Sequence, residues 1–361
     1  MSEPLVSVVV VACNVDRFLS EAIDSILSQT LRDFEFIIVD FGSTDNSRSI
    51  AAKYAGLDDR IKFRTIPSCS LPEARNAGSC LAKGRYLAVM DADDIALPNR
   101  LELETGFMEK HPEVGFLGGA VEWIDVHGHS IGIHEYPSED QELRSILLTY
   151  CPFWHPTLMV RRDAFLAVGG YRKAFVFAHD YDLELRISDH FKCANLNQVL
   201  LKYRVHPSQV GFARQGQQTL CKLAAQFSAT CRKENLPDPL NGVDEITPAL
   251  LASLGVSEAA QKNALAADCR NRIRTMFTAG EYSVALEAAT NLLNSDTTLI
   301  ERWQIADLYT KVAELHWAQK NLRKTVFAGL HALVIRPALV GRPIRHLARS
   351  FLPVRDRREH S

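Results

Sequence analysis

Three carboxylates fall within four positions in LAVMDADDIAL, residues 87–97, where an apolar run ends abruptly in charge. Asp91, Asp93 and Asp94 offer hard oxygen ligands, the donor type taken by a divalent cation such as Mn2+ or Mg2+, and a cation held there can grip a diphosphate. The local alternative is helix capping: Asp93 or Asp94 would satisfy the open N–H groups of a helix beginning near Pro98. The type and spacing of these residues do not separate the two readings, so the elements that carry them have to.

Those elements alternate. Leu5 to Ala12 is a nearly continuous β-branched run, the pattern of a strand buried on both faces, and a helical pattern from Asp16 to Thr30 follows. FEFIIVD, residues 34–40, is a second such strand. GSTDNS then supplies a turn and capping residues for a helix through Ala55. IKFRTI is a third strand, PEARNAGSCLA reads as a helix with Pro in its first turn, and RYLAVMD is the fourth strand. Strand and helix at this spacing predict an α/β fold, a mostly parallel sheet with helices on both faces. Parallel strands bring their carboxyl ends to one edge, where open α/β sheets bind ligands, so Asp40 and Asp91 are expected on a common rim.

Composition sets the class. The chain has 361 residues, 47% hydrophobic and 23% charged, enough to bury a sizeable core. Its net charge of -2 argues against a nucleic acid partner. The charge is uneven: Lys320 to Ser361 holds ten Lys or Arg against two acids, a local +8 that leaves -10 for the rest. Eight cysteines without a C-x-x-C pair speak against a zinc ribbon or redox pair and for a reducing compartment. The first residues lack a basic leader and a cleavage site, and their apolar run is strand-sized, so the expectation is a cytoplasmic protein.

Eight stretches in order, VSVVVVACN, IIVDFGSTDNS, ARNAG, MDADD, HPTLMVRRDAF, GGYR, AHDYDLELR and YRVH, give the chain a wider likeness. Over residues 5–210 it resembles the family 2 glycosyltransferases, an inverting, nucleotide-sugar-dependent family with the GT-A (Rossmann-like) fold. The resemblance implies that Ala12, Asn14 and Asp40 hold the base and ribose of a nucleotide, and that Arg75 lies near the donor. It implies that Asp91 contacts the donor, that Asp93 binds the metal, and that His206 is a further metal or diphosphate contact. Asp180 matches the aspartate that serves as catalytic base, removing the acceptor's proton; read locally, Asp180 and Asp182 only favour a helix N-terminus. His179 stands where the family usually carries Glu, Cys13 where Tyr is common, and Phe41 where a second Asp is common before GST.

Between Asp94 and Asp180 such proteins build their acceptor side, and CPFWHP places Trp154 and His155 there; with His179 they are the candidate acceptor contacts. Core packing is the ordinary explanation for Trp154. GGY, residues 169–171, reads as a turn before the helix carrying Asp180. After Phe212 the pattern turns helical, which divides the chain into a GT-A domain over residues 1–215 and a helical C-terminal extension over 216–361 with a basic tail. AGEYSVALEAATNLL reads as one helix of a helical hairpin, with no second copy at a fixed period. The tail, PALVGRPIRHLARSFLPVRDRR, interleaves Arg with apolar residues, as a peripheral contact with anionic lipid at the inner face of the membrane would, or as a solvated tail would.

The function these readings predict is transfer of a sugar from a UDP-sugar or other nucleotide-sugar donor to a glycan or lipid-linked acceptor in surface polysaccharide biosynthesis. A sugar nucleotidyltransferase and a non-catalytic nucleotide-sugar-binding protein are the alternatives. The first lacks its expected glycine-rich, lysine-bearing loop after the first strand.

Overall fold

Seven consecutive buried residues, Val6–Ala12, form β1 and occupy the middle of the parallel half of the sheet. In the computed structural model, which describes residues 3–206 and 215–337, β1 is flanked by β2 (Phe34–Asp40) and β4 (Tyr86–Asp91), and β3 (Ile61–Thr65) pairs outside β2. All three pairings are parallel, as the βα spacing predicts. Three helices connect the strands: α1 (Asp16–Leu27), α2 (Ser47–Ala55) and α3 (Leu71–Leu81). A capping box fixes the start of α3, with the Ser70 backbone N–H donating to Glu73 Oε2 at 3.0 Å. Gly78 lets α3 lie close on the sheet, since a Cβ there would stand 2.7 Å from Val9 Cγ1.

Beyond β4 the sheet is mixed. A two-residue strand β5 (Ile95–Ala96) precedes α4 (Arg100–Lys110) and the long β6 (Val114–Ile124), which pairs antiparallel with β7 (Ser130–His134). After α5 (Asp140–Leu147) comes β8 (Met159–Arg161), antiparallel to both β4 and β6 and inserted between them. Helices α6 (Arg162–Ala167) and α7 (His179–Ser188) lead to β9 (Lys192–Arg204), parallel to β6. Two reversals restore the original direction, so the carboxyl ends of β1, β2, β4, β6 and β9 share one rim with the loop that enters β8. β5 pairs with β9 through Ile95 and Lys202, which ties the segment leaving Asp91 to the last residues of β9.

The described residues divide into two compact units, one ending at Leu254 and one beginning at Gly255. The first includes α8 (Gln215–Lys233), which packs on α7, and the short α9 (Pro248–Ser253). The second is all helical: α10 (Glu258–Thr278), α11 (Tyr282–Leu293), α12 (Arg302–Ala318) and α13 (Leu322–Ile335). The hairpin helix expected from AGEYSVALEAATNLL is α11, packed against α10 and α12. Among the described residues no helix is long and apolar enough to cross a membrane. The basic tail and its expected lipid contact lie outside the described residues.

Candidate active site

β4 delivers Asp91 to the rim, and the turn after it carries Asp93 and Asp94, so that ligand atoms of all three lie within 4.8 Å of one another. The helix-cap reading does not hold: α4 starts at Arg100, and Asp94 turns inward, 1% exposed, where Oδ1 accepts the backbone N–H of Arg204 at 2.8 Å. Burial first, then the charges of Asp93 and Asp91, pushes the Asp94 carboxyl well above the usual carboxylate range, and its Oδ2 has no partner. Arg204 reinforces the junction, donating through Nε to the Asp93 carbonyl at 2.9 Å and through Nη2 to Glu21 at 2.6 Å. Two residues further on, His206 reaches Asp93, with Nε2 2.8 Å from Oδ2. Three crowded carboxylates, an orphaned buried oxygen and an imidazole are a donor set that suits a divalent cation.

Arg75, one turn into α3, is buried and donates from Nη2 to Asp91 Oδ1 at 2.5 Å, while its Nε and Nη1 have no partner. Its charge also acts on Asp180, the second residue of α7. Asp180 stands two residues after Ala178, the residue before α7, which is left-handed at φ 57°, a strained conformation for a residue with a Cβ. Burial raises the Asp180 carboxyl above its ordinary range; the N–H of Tyr181 and the Arg75 charge pull the other way. Asp182, by contrast, is taken up by Arg172 and Arg186 in a buried ion network. Both aspartates lie in the first turn of α7, as the local reading has it, and Asp182 in addition holds α7 to its surroundings.

His155 and His179 meet behind this group, ring centroids 5.6 Å apart, with Tyr171 completing the cluster. Both imidazoles are buried. Burial, and then the Arg75 charge, drives both far below the usual histidine range, so they are neutral at physiological pH. The GGYR turn is held by Asn76 of α3, which accepts from the Tyr171 N–H at 3.0 Å and donates to its carbonyl at 2.7 Å. α3 thus presents Arg75 to the carboxylates and Asn76 to the turn.

At the ends of β1 and β2 the remaining candidates gather separately. Asn14 is left-handed at φ 56°, and its Oδ1 accepts from the Thr44 N–H at 2.8 Å and from Thr44 Oγ1 and the Asp45 N–H, closing the loop after β2. The Ala12 carbonyl accepts from the Phe41 N–H. Asp40 is 1% exposed; Arg48 donates twice to Oδ1, at 3.0 and 3.2 Å, and Oδ2 is unpartnered.

Trp154 stands apart from His155, its sequence neighbour. Its ring stacks on Tyr136 at 5.6 Å and abuts Trp123 and Tyr203, while His134 stacks on Trp123 at 3.9 Å. This aromatic nest joins the ends of β6 and β9 to the loop that enters β8. The indole N–H groups of Trp123 and Trp154 have no partner.

Sequence reasoning missed Asn76, Tyr171 and Arg204, although each lies inside a quoted motif, ARNAG, GGYR or YRVH. Their partners are distant in the chain, so only the motifs themselves carried a signal.

Known proteins bear the same stamp. The profile of "Glycosyl transferase family 2" matches residues 7–169. The chain is 34% identical over 206 residues to the O-antigen biosynthesis glycosyltransferase WbnJ of Escherichia coli, covering 56% of this chain and 80% of that protein. Its fold is like that of S. aureus TarS 1–349, solved in complex with UDP-GlcNAc, at a TM-score of 0.52 and 16% identity over 90% of each chain. It is also like the mannosyltransferase PcManGT of Pyrobaculum calidifontis, solved with GDP-Man and Mn2+, at a TM-score of 0.50 and 18% identity, covering 91% of this chain and 88% of that one.

Proposed function

We propose, for a chain that belongs to glycosyl transferase family 2, an inverting transfer of a sugar from a nucleoside-diphosphate donor, a UDP-sugar in the first instance, to a hydroxyl of a glycan or lipid-linked saccharide. The pathway is surface polysaccharide biosynthesis, by analogy with the O-antigen relative, and the compartment is the cytoplasm, to which the scattered cysteines point. The observation that carries the reading is the meeting of Asp91, Asp93, Asp94 and His206 at the joined ends of β4 and β9, with Arg75 linking that group to Asp180.

In this scheme Ala12, Asn14 and Asp40 line the nucleoside site. Asn14 acts by shaping the loop after β2, and the free Asp40 Oδ2 accepts a hydrogen bond from the base or ribose. Asp91 and Arg75 meet the donor; the unpartnered Arg75 N–H groups are donors that a sugar hydroxyl or phosphate oxygen would satisfy. Asp93 and His206 would hold a divalent cation, Mn2+ or Mg2+, which when bound neutralises charge on the departing diphosphate. Asp180 takes the proton of the acceptor hydroxyl as its oxygen forms the new bond to the anomeric carbon. The bond from that carbon to the diphosphate breaks on the opposite face, and the nucleoside diphosphate leaves with the electron pair. Trp154, stacked on Tyr136, offers an apolar face for the acceptor ring. The burial of His155 and His179 supports a backing role for them, a neutral wall behind Asp180 and Arg75.

The test is a panel of nucleotide sugars, with and without Mn2+, read as release of nucleoside diphosphate. The expected result is metal-dependent release with at least one donor. Donor binding with no release under any acceptor would favour a binding protein, and pyrophosphate release from a sugar phosphate and a nucleoside triphosphate would favour a nucleotidyltransferase.

A further inference from the structure

Fourteen large apolar side chains are exposed among the described residues, and five of them, Leu322, Val326, Phe327, Leu330 and Val334, sit on α13. They are 54% to 81% exposed and, at helical spacing, fall within an arc of about 140°. The other side of the helix is already used: Ala328 and Ala332 are buried, and His331 stacks on Tyr309 of α12 at 5.1 Å; within the arc Leu333 alone is half-buried, packed against Ala306 and Ala332. The apolar arc is therefore a second face, larger than the scattered exposed side chains that any soluble protein carries.

Charge identifies what this face suits. No Asp or Glu occurs from Leu315 to Arg355, a stretch of 41 residues that contains eight Lys or Arg. Arg323 lies within the apolar arc and Lys324 beside it, both exposed. The other helices of this unit are unlike it, with Glu258 and Asp268 on α10, Glu287 on α11, and Asp307 and Glu314 on α12. A helix with an apolar face, flanking cations and no acids matches a surface that is apolar below and anionic above. A second copy of the same helix fits worse, because two-fold pairing would bring together helices that carry Arg and Lys and no acid to offset them.

We infer that α13 is a membrane-interface helix, its Leu322–Val334 face seated among the headgroups of an anionic bilayer without crossing it. This goes beyond the proposed transfer reaction and does not rest on it. The test is flotation of the full chain with phosphatidylcholine vesicles, with and without phosphatidylglycerol, at low and at high salt. Binding is expected only to the anionic vesicles and is expected to fall as salt rises. The double variant F327E/L330E should lose at least about tenfold in vesicle partitioning, since two exposed apolar anchors are removed. R323E/K324E should weaken binding to anionic vesicles while keeping the apolar face. Both variants should keep the parent's thermal melt and its nucleoside diphosphate release in solution, so failure of the transfer assignment is read separately. Equal binding to neutral and anionic vesicles, unchanged binding by F327E/L330E, or concentration-dependent self-association without vesicles that either variant abolishes would overturn the proposal.

Discussion

A carboxylate serves as a base only when ionised, and the surroundings of Asp180 set when that happens. Burial raises its pKa, so the acid limb of kcat/KM is expected above the ordinary aspartate value of about 3.9, activity rising with pH through that limb. Arg75→Gln removes the positive charge that offsets burial and should move the limb to higher pH; a pH–rate profile of the two proteins checks this. Asp180→Asn should lower kcat by roughly 10²- to 10⁴-fold while donor affinity, measured by calorimetry, is kept. Unchanged turnover would remove Asp180 from the role of base. Asp93→Ala should abolish the dependence of donor binding on Mn2+, because the cation would lose the carboxylate ligand that stands beside His206.

Strands and helices make those residues converge, and their joints can be tested separately. Asp94 pins the end of β9 through the Arg204 N–H, so Asp94→Ala leaves that donor without its partner and should cost about 1–3 kcal/mol of stability. Asp94→Asn keeps an acceptor oxygen and should cost little stability while weakening Mn2+ binding; chemical denaturation and metal titration separate the two effects. Gly84 precedes β4, where an added Cβ would stand 2.5 Å from the Ser7 backbone nitrogen, and backbone yields little. Gly84→Ala should therefore destabilise by about 1–3 kcal/mol, read from the melting temperature. On α7, Glu184 is buried with the Cys151 thiol 2.9 Å from Oε2 and, among the described residues, no cation beside it, and burial and then Asp180 raise its pKa well above the usual range. Its folded pKa thus exceeds the unfolded value of about 4.3, the folded chain binds the extra proton between the two, and stability should fall as pH climbs through that window. Glu184→Gln should flatten that slope, by about 1.4 kcal/mol for each unit of displacement.

At the scale of the whole molecule the described residues form two compact units, and every candidate site residue lies in the first. The reading that the extension begins at residue 216 predicts a shorter catalytic body than that unit, whose α8 packs on α7 and whose Arg232 bonds Asp189 at 2.5 Å. A chain ending at Leu254 is therefore expected to melt cooperatively and to keep donor binding. A chain ending at residue 215 would expose the face of α7 that α8 covers and should melt lower; calorimetry on both decides between the boundaries.

What was legible in the sequence was whatever is local or periodic. Parallel strands buried on both faces betray themselves as unbroken β-branched runs, and βα alternation determines which strand ends share an edge, so β1 to β4 and the rim that holds Asp40 and Asp91 follow from residues 5–91 alone. Motif order brought the resemblance and, with it, Asp93, Asp180 and His206. Tertiary structure alone decided how these residues are paired. The insertion of antiparallel β8 between β4 and β6 and the pairing of β5 with β9 bring His206 to Asp93 across 113 positions, and no periodicity encodes a contact at that range. Burial is also a property of the assembled neighbours, so the neutrality of His155 and His179, the inward turn of Asp94 and the separation of Trp154 from its neighbour His155 were decided only when the sheet closed around them.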